Sequence, residues 1–197
     1  MRTLLKFAQW IDRLNEACGR LFTMLVLVTV LISAGNAVVR KLFHTSSNAF
    51  LEIQWYLFGA VFLLCAGYTL LKNEHVRIDV LIGRLSPRQH AWIDVLGSLV
   101  FLLPFCIIII YYSVPLFVKT WTIQETSADA GGLIRWPVIL LIPVGFSLLA
   151  LQGVSQIIKN LGFLLGQAPF PTGKKEKSDE EQLADEIRSM AGKTNSE

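Results

Sequence analysis

The chain has 197 residues, of which 53% are hydrophobic and 17% charged, with a formal net charge of +3. A soluble domain of this length would struggle to bury so much apolar side chain, so lipid is the expected solvent, and little chain is left for a separate catalytic domain. The small positive charge gives no support to a nucleic-acid partner, because the basic residues cluster at the ends of apolar stretches, where anionic lipid meets them.

The first predicted element is an amphipathic helix over residues 1–20. Leu4, Phe7, Trp10, Ile11, Leu14, Ala17, Cys18 and Leu21 share one broad sector, and Arg2, Lys6, Gln9, Arg13, Glu16 and Arg20 fill the opposite side. Such a helix is expected to lie in the membrane interface, with its basic face on phosphate headgroups. Packing on a partner's surface is the alternative.

Four runs free of Lys, Arg, Asp, Glu and His then follow: Leu21–Val39, Ile53–Leu71, Val95–Val118 and Trp136–Ile158. A helix rises ~1.5 Å per residue and must cross ~30 Å of hydrocarbon, so each run predicts a membrane span. The first run exceeds a signal-peptide core and no small-residue cleavage pattern follows it, so it is expected to be retained. Pro104, Pro115 and Pro143 fall inside spans, where kinks are expected and neighbouring helices compensate the freed carbonyls.

Direction follows from the basic residues. Arg2, Lys6, Arg13 and Arg20 precede the first span, and Lys72, Arg77, Arg84 and Arg88 separate the second from the third. These segments are expected in the cytoplasm together with both termini. Within the second of them, Ile78, Leu81, Ile82 and Leu85 share a helical face beside an arginine stripe, which predicts a second interfacial helix that Ser86-Pro87 should end.

Polar residues within the spans are few. Asn36, Gln152 and Gln156 are expected to bond to neighbouring helices. His44, His75 and His90 form no pair at haem- or metal-ligand spacing, and Cys18, Cys65 and Cys106 are too scattered for a metal site or disulfide framework, so no cofactor is expected. Glu52 opens the second span; a carboxylate at membrane depth calls for a basic or amide partner, whereas one exposed at a helix N-terminus needs only the helix dipole. The loop from Trp121 to Gly132 joins an aromatic anchor to Glu125, Ser127 and Asp129 and offers a docking surface on the predicted periplasmic side. From Gln167 onward, prolines, Gly173 and mixed charge predict a flexible cytoplasmic tail. The expected organisation is therefore residues 1–20 as interfacial helix, 21–165 as four-span membrane domain and 166–197 as tail.

Several of these segments recur in one order in a known family. His75-Val76-Arg77-Ile78-Asp79-Val80-Leu81 directly after the second span, Glu52 before Trp55, Glu125-x-Ser127 before the last span and Ile142-Pro143-Val144-Gly145 within it together resemble the small four-span subunit of the tripartite ATP-independent periplasmic transporters, the DctQ-like family. The resemblance covers about Leu21 to Leu165. It implies an all-α integral membrane four-helix protein that is not an enzyme. It also implies a bacterial inner-membrane location and a role in sodium-coupled uptake of organic acids.

The implied partners are a large multi-span subunit, a periplasmic substrate-binding protein and membrane phospholipid. The small subunit is expected to support the large one and help dock the binding protein without holding substrate itself. Glu52, Arg77, Asp79, Arg84 and Arg88 are the expected contacts to a subunit or to lipid headgroups, and Glu125 and Ser127 those to the binding protein. Two other classes share the composition. A membrane-anchor subunit of an oxidoreductase would need histidine pairs for haem, and a self-contained exporter would need a polar pathway through its own spans.

Overall fold

The computed structural model describes residues 2–44, 47–72, 86–129 and 131–169. These residues form an all-helical bundle: α1 (Arg2–Phe43), α2 (Asn48–Lys72), α3 (Pro87–Gly97), a π turn (Ser98–Leu102), α4 (Leu103–Thr122) and α5 (Trp136–Leu164). Four stretches are long and apolar enough to cross a membrane: Thr3–Phe43, Asn48–Lys72, Pro87–Thr122 and Trp136–Leu164.

These helices hold the four predicted runs, and they extend beyond them. The segment predicted as a separate interfacial helix is continuous with the first span, so α1 runs for 42 residues, or roughly 63 Å at the helical rise. The third span begins at Pro87, eight residues before its apolar run. Ser86 caps it: its hydroxyl accepts from the Gln89 N–H while the Gln89 side chain accepts from the Ser86 N–H. Pro87 occupies the first turn, where its missing N–H is no loss. The second predicted interfacial helix, with Arg77, Asp79 and Arg84, and the tail beyond residue 169 lie outside the described residues.

Helix α5 is the spine, packing against α1, α2, α3, the π turn and α4. Its contacts fix the topology. Gly145 lies on the Leu63 backbone, and Gly67 lies on that of Leu148, so α2 and α5 run parallel. Phe105 meets Phe146 edge to face with ring centroids 5.7 Å apart, and Trp121 meets Trp136 at 4.5 Å, so α4 runs antiparallel to α5. Ser33 donates to Gln54 at 2.9 Å, while Gly19 receives the Tyr68 ring, so α1 and α2 are antiparallel.

Glycine is what allows the α2–α5 approach. A Cβ on Gly145 would stand 2.7 Å from the Leu63 carbonyl oxygen. Close backbone approach of this kind is how membrane helices gain packing energy when lipid is as apolar as their own side chains.

The prolines act differently from one another. The π turn sits directly before Pro104, and the Leu103 N–H reaches back five residues to the Ser98 carbonyl. Pro104 has no N–H and would clash with a carbonyl four residues back, so a widened turn absorbs it. Pro115 and Pro143 are carried inside continuous helices, and the Ser147 hydroxyl donates to the Pro143 carbonyl at 2.6 Å.

The tryptophans mark two levels. Trp10 and Trp92 lie at the end that also carries Lys6, Arg13, Arg20, Lys72, Arg88 and Lys159, here termed the basic end; Trp55, Trp121 and Trp136 lie at the other. Trp92 and Trp121 are separated along one helical rod by roughly 43 Å at the helical rise, matching the ~40–45 Å of a bilayer with its headgroups.

Candidate functional site: two polar clusters at opposite ends of the bundle

At the basic end, a buried network ties the start of α1 to the end of α5. Asp12 Oδ1 accepts from Gln152 Nε2 at 2.9 Å, from the Ser155 hydroxyl at 2.7 Å and from Lys159 Nζ at 3.0 Å. Its Oδ2 accepts again from Lys159 at 2.8 Å. Gln152 in turn accepts from Asn15 Nδ2 at 3.0 Å, and Ser155 also approaches the Ala8 carbonyl at 3.2 Å. Asn15, Gln152 and Ser155 are fully buried.

The network depends on helical spacing. Gln152, Ser155 and Lys159 follow one another at intervals of three and four on α5, and Ala8, Asp12, Asn15 and Gly19 do the same on α1, so each set lies on one face. Packing these faces together places small residues where backbones meet and amides where carboxylates need donors. Withdrawing a charged pair partly from water, as here at 22% exposure of each side chain, is tolerable with such extra hydrogen bonds. A second link at this end pairs Lys72 with Glu16 at 3.6 Å across α2 and α1.

Sequence reasoning missed this cluster as a unit. The wheel of residues 1–20 divides the segment into an apolar sector and a basic one, whereas the stripe of buried Ala8, Asn15 and Gly19 and half-buried Asp12 runs between them. Phe7 and Trp10, expected to face the interface, are exposed and stack on each other with centroids 6.3 Å apart.

At the opposite end, Glu52 organises the loop between α4 and α5. Its carboxylate is almost fully buried, at 3% exposure. Oε2 accepts from the Leu133 N–H at 2.6 Å, and the Ser127 side chain lies beside Oε1 with Gly132 packed against both. The partner of this carboxylate is thus the backbone of its own chain. At 3% exposure Glu52 is not a solvent-exposed helix-terminal acid.

The loop is shaped to offer that backbone. Residues Thr126 and Ile134 form an antiparallel bridge, the Ser127 N–H donates to the Leu133 carbonyl at 2.9 Å, and the Arg135 N–H donates to the Glu125 carbonyl at 2.9 Å. Gly131 turns the chain at a φ of +73°, a region costly for residues with a Cβ. The Glu125 carboxylate pairs with Arg135 and accepts from Thr120 at 3.4 Å, and the Tyr56 hydroxyl donates to the Ile134 carbonyl at 3.3 Å. The loop is therefore pinned to α2 and α4.

Of the residues expected from sequence, Glu52, Glu125 and Ser127 come together in this one cluster. Arg88 stands at the other end of the bundle, exposed on the first turn of α3. Arg77, Asp79 and Arg84 lie outside the described residues. No group of three or more His, Cys, Asp or Glu residues able to hold a metal ion occurs among the described residues. The clusters join helices and shape a loop; neither presents an acid, base and nucleophile around a cleft.

Against known proteins, the family model described as "Tripartite ATP-independent periplasmic transporters, DctQ component" matches residues 29–162, well over half of the chain. No curated protein and no solved structure matches it.

Proposed function

The chain belongs to the DctQ component family of the tripartite ATP-independent periplasmic transporters, and on that premise we propose that it is the small permease subunit of a sodium-coupled organic-acid transporter. In this role it widens the static part of the large subunit and offers the binding protein a platform, while substrate and sodium bind elsewhere. The basic end faces the cytoplasm, as the distribution of Lys and Arg favours.

One observation carries this reading. The two carboxylates buried or half-buried among helices in the described bundle, Asp12 and Glu52, are engaged near its two ends, with Lys159 and with the Leu133 N–H. The stretch of helix between carries no charged side chain, and hydroxyls there such as Thr29 and Ser147 bond to their own helix's carbonyls, unlike the ionisable groups and broken helices with which transporters hold ions and substrate at the midplane. Glu52 supports the platform role by holding the loop firm while Gln124, Thr126 and Asp129 remain exposed. Preorganisation lowers the ordering cost of docking a partner.

Within the same proposal, Arg77, Arg84 and Arg88 meet lipid phosphate or the large subunit, and Asp79 bridges a neighbouring basic group. The test is reconstitution into sodium-loaded gradients: uptake is expected only when this chain, the large subunit and the binding protein are all present. Accumulation by this chain alone, or full uptake without it, would refute the proposal.

A further inference from the structure

A cavity of about 510 Å³ opens at the basic end, between Leu4 of α1, Trp92 of α3 and Ile158, Leu161 and Leu165 of α5. Its lining is apolar except for Arg88. Water gains little from a space with so few polar partners, whereas a hydrocarbon chain fits it. The neighbouring acids are already engaged: Asp12 binds Lys159, and Asp94 lies 3.9 Å from His90. Among the described residues Arg88 enters no ion pair.

The level in the membrane agrees. Trp92 belongs to the aromatic belt of this end, and Arg88 lies one helical turn further outward, where headgroup phosphates lie. An amphiphile with an anionic head and an alkyl tail matches a guanidinium that has no ion pair among the described residues and stands at the rim of an apolar cavity, and guanidinium groups bind phosphate oxygens through paired N–H donors.

Resting on the headgroup reading of Arg88, we propose that this cavity is a binding site for one anionic phospholipid, whose phosphate is held by Arg88 while an acyl chain fills the space between α1, α3 and α5. The lipid would then complete the packing of α3, a helix whose extensive contacts, beyond its own π turn, are with α5 among the described helices.

The full chain in mild detergent, titrated with dioleoyl phosphatidylglycerol and followed by native mass spectrometry, tests this. One tightly retained lipid is expected, bound about fivefold more tightly than dioleoyl phosphatidylcholine, as one basic contact implies. Arg88→Gln should remove that preference while Arg13→Gln preserves it, and Leu161→Trp should weaken both lipids by filling the cavity. Equal retention of the two lipids by the unaltered chain, or an unchanged preference in Arg88→Gln, overturns the proposal. Arg88 is exposed, so its substitution leaves the fold intact and the comparison interpretable.

Discussion

Replacing Asp12 by Ala removes the acceptor on which three donors converge. Ser155 keeps the Ala8 carbonyl as an acceptor, and Lys159, with 22% of its side chain exposed, recovers part of its hydration. Gln152 has no such recourse: it is fully buried and loses the acceptor of its Nε2 group. An orphaned buried donor costs about 1–3 kcal/mol, and a partly exposed ion pair adds about 1 kcal/mol or less. The expected loss for Asp12→Ala is therefore about 1–4 kcal/mol. Asp12→Asn keeps the Oδ1 acceptor for Gln152 and Ser155 but loses the charge and the Oδ2 acceptor opposite the partly exposed Lys159, so about 1 kcal/mol is expected.

Equilibrium unfolding in mixed dodecyl maltoside and dodecyl sulfate micelles measures both variants. Lys159→Met and the Asp12→Ala/Lys159→Met double variant complete a cycle whose coupling term should be positive and about 1 kcal/mol. Asp12→Ala within about 0.5 kcal/mol of the unaltered protein, or Asp12→Asn as damaging as Asp12→Ala, would show that the network does not join α1 to α5 in the manner described.

The loop and the close helix contacts give further expectations. Glu52→Ala should leave the Leu133 amide without its acceptor and speed its hydrogen exchange about fivefold or more, since about 1–3 kcal/mol of local stability is at stake; protection equal to that of the unaltered chain would argue against the pinning. Glu52→Gln retains an acceptor and should restore most of that protection. Gly145→Ala forces a methyl to within 2.7 Å of the Leu63 carbonyl oxygen and should lower unfolding stability by about 1–3 kcal/mol. Gly35→Ala, where nothing stands within 4 Å, should be neutral or slightly stabilising in the same assay. In reconstituted vesicles, Arg77→Glu should reduce complex yield or uptake, and unchanged values of both would count against a headgroup or subunit contact there.

The four spans were legible because a run of about 20 uncharged residues has few other uses. Their ends were harder. The first two turns of the third span carry Arg88, His90 and Asp94, so hydropathy placed its start at Val95, although Ser86-Pro87 with Gln89 is a helix-start signature in its own right. Glu52 was conspicuous as an acid beside an apolar run, yet its partner was invisible, because a backbone N–H at Leu133 has no signature in side-chain composition.

The Asp12 network was hidden for another reason. Its ends lie 147 positions apart, and Lys159 reads from sequence as a flanking charge of the last span. The available signal was the polar stripe Gln152, Ser155, Gln156, Lys159 on an otherwise apolar helix, which asks for a polar partner on whichever helix it faces. Asp12 and Asn15 answer it from the one stripe that a two-sided division of residues 1–20 leaves unassigned.

The central placement of α5 bears on the order in which this protein is made. Helices α1 and α2 emerge first and pack on each other as an early hairpin, but α4 has its extensive interhelical contacts with the last helix alone among the described residues. Chains grow from the N-terminus, so α4 must wait in the bilayer, its facing surface uncovered, until Trp136–Leu164 has left the ribosome. A chain that stalls before that point holds half a bundle and one orphan helix, the kind of product that quality-control proteases clear.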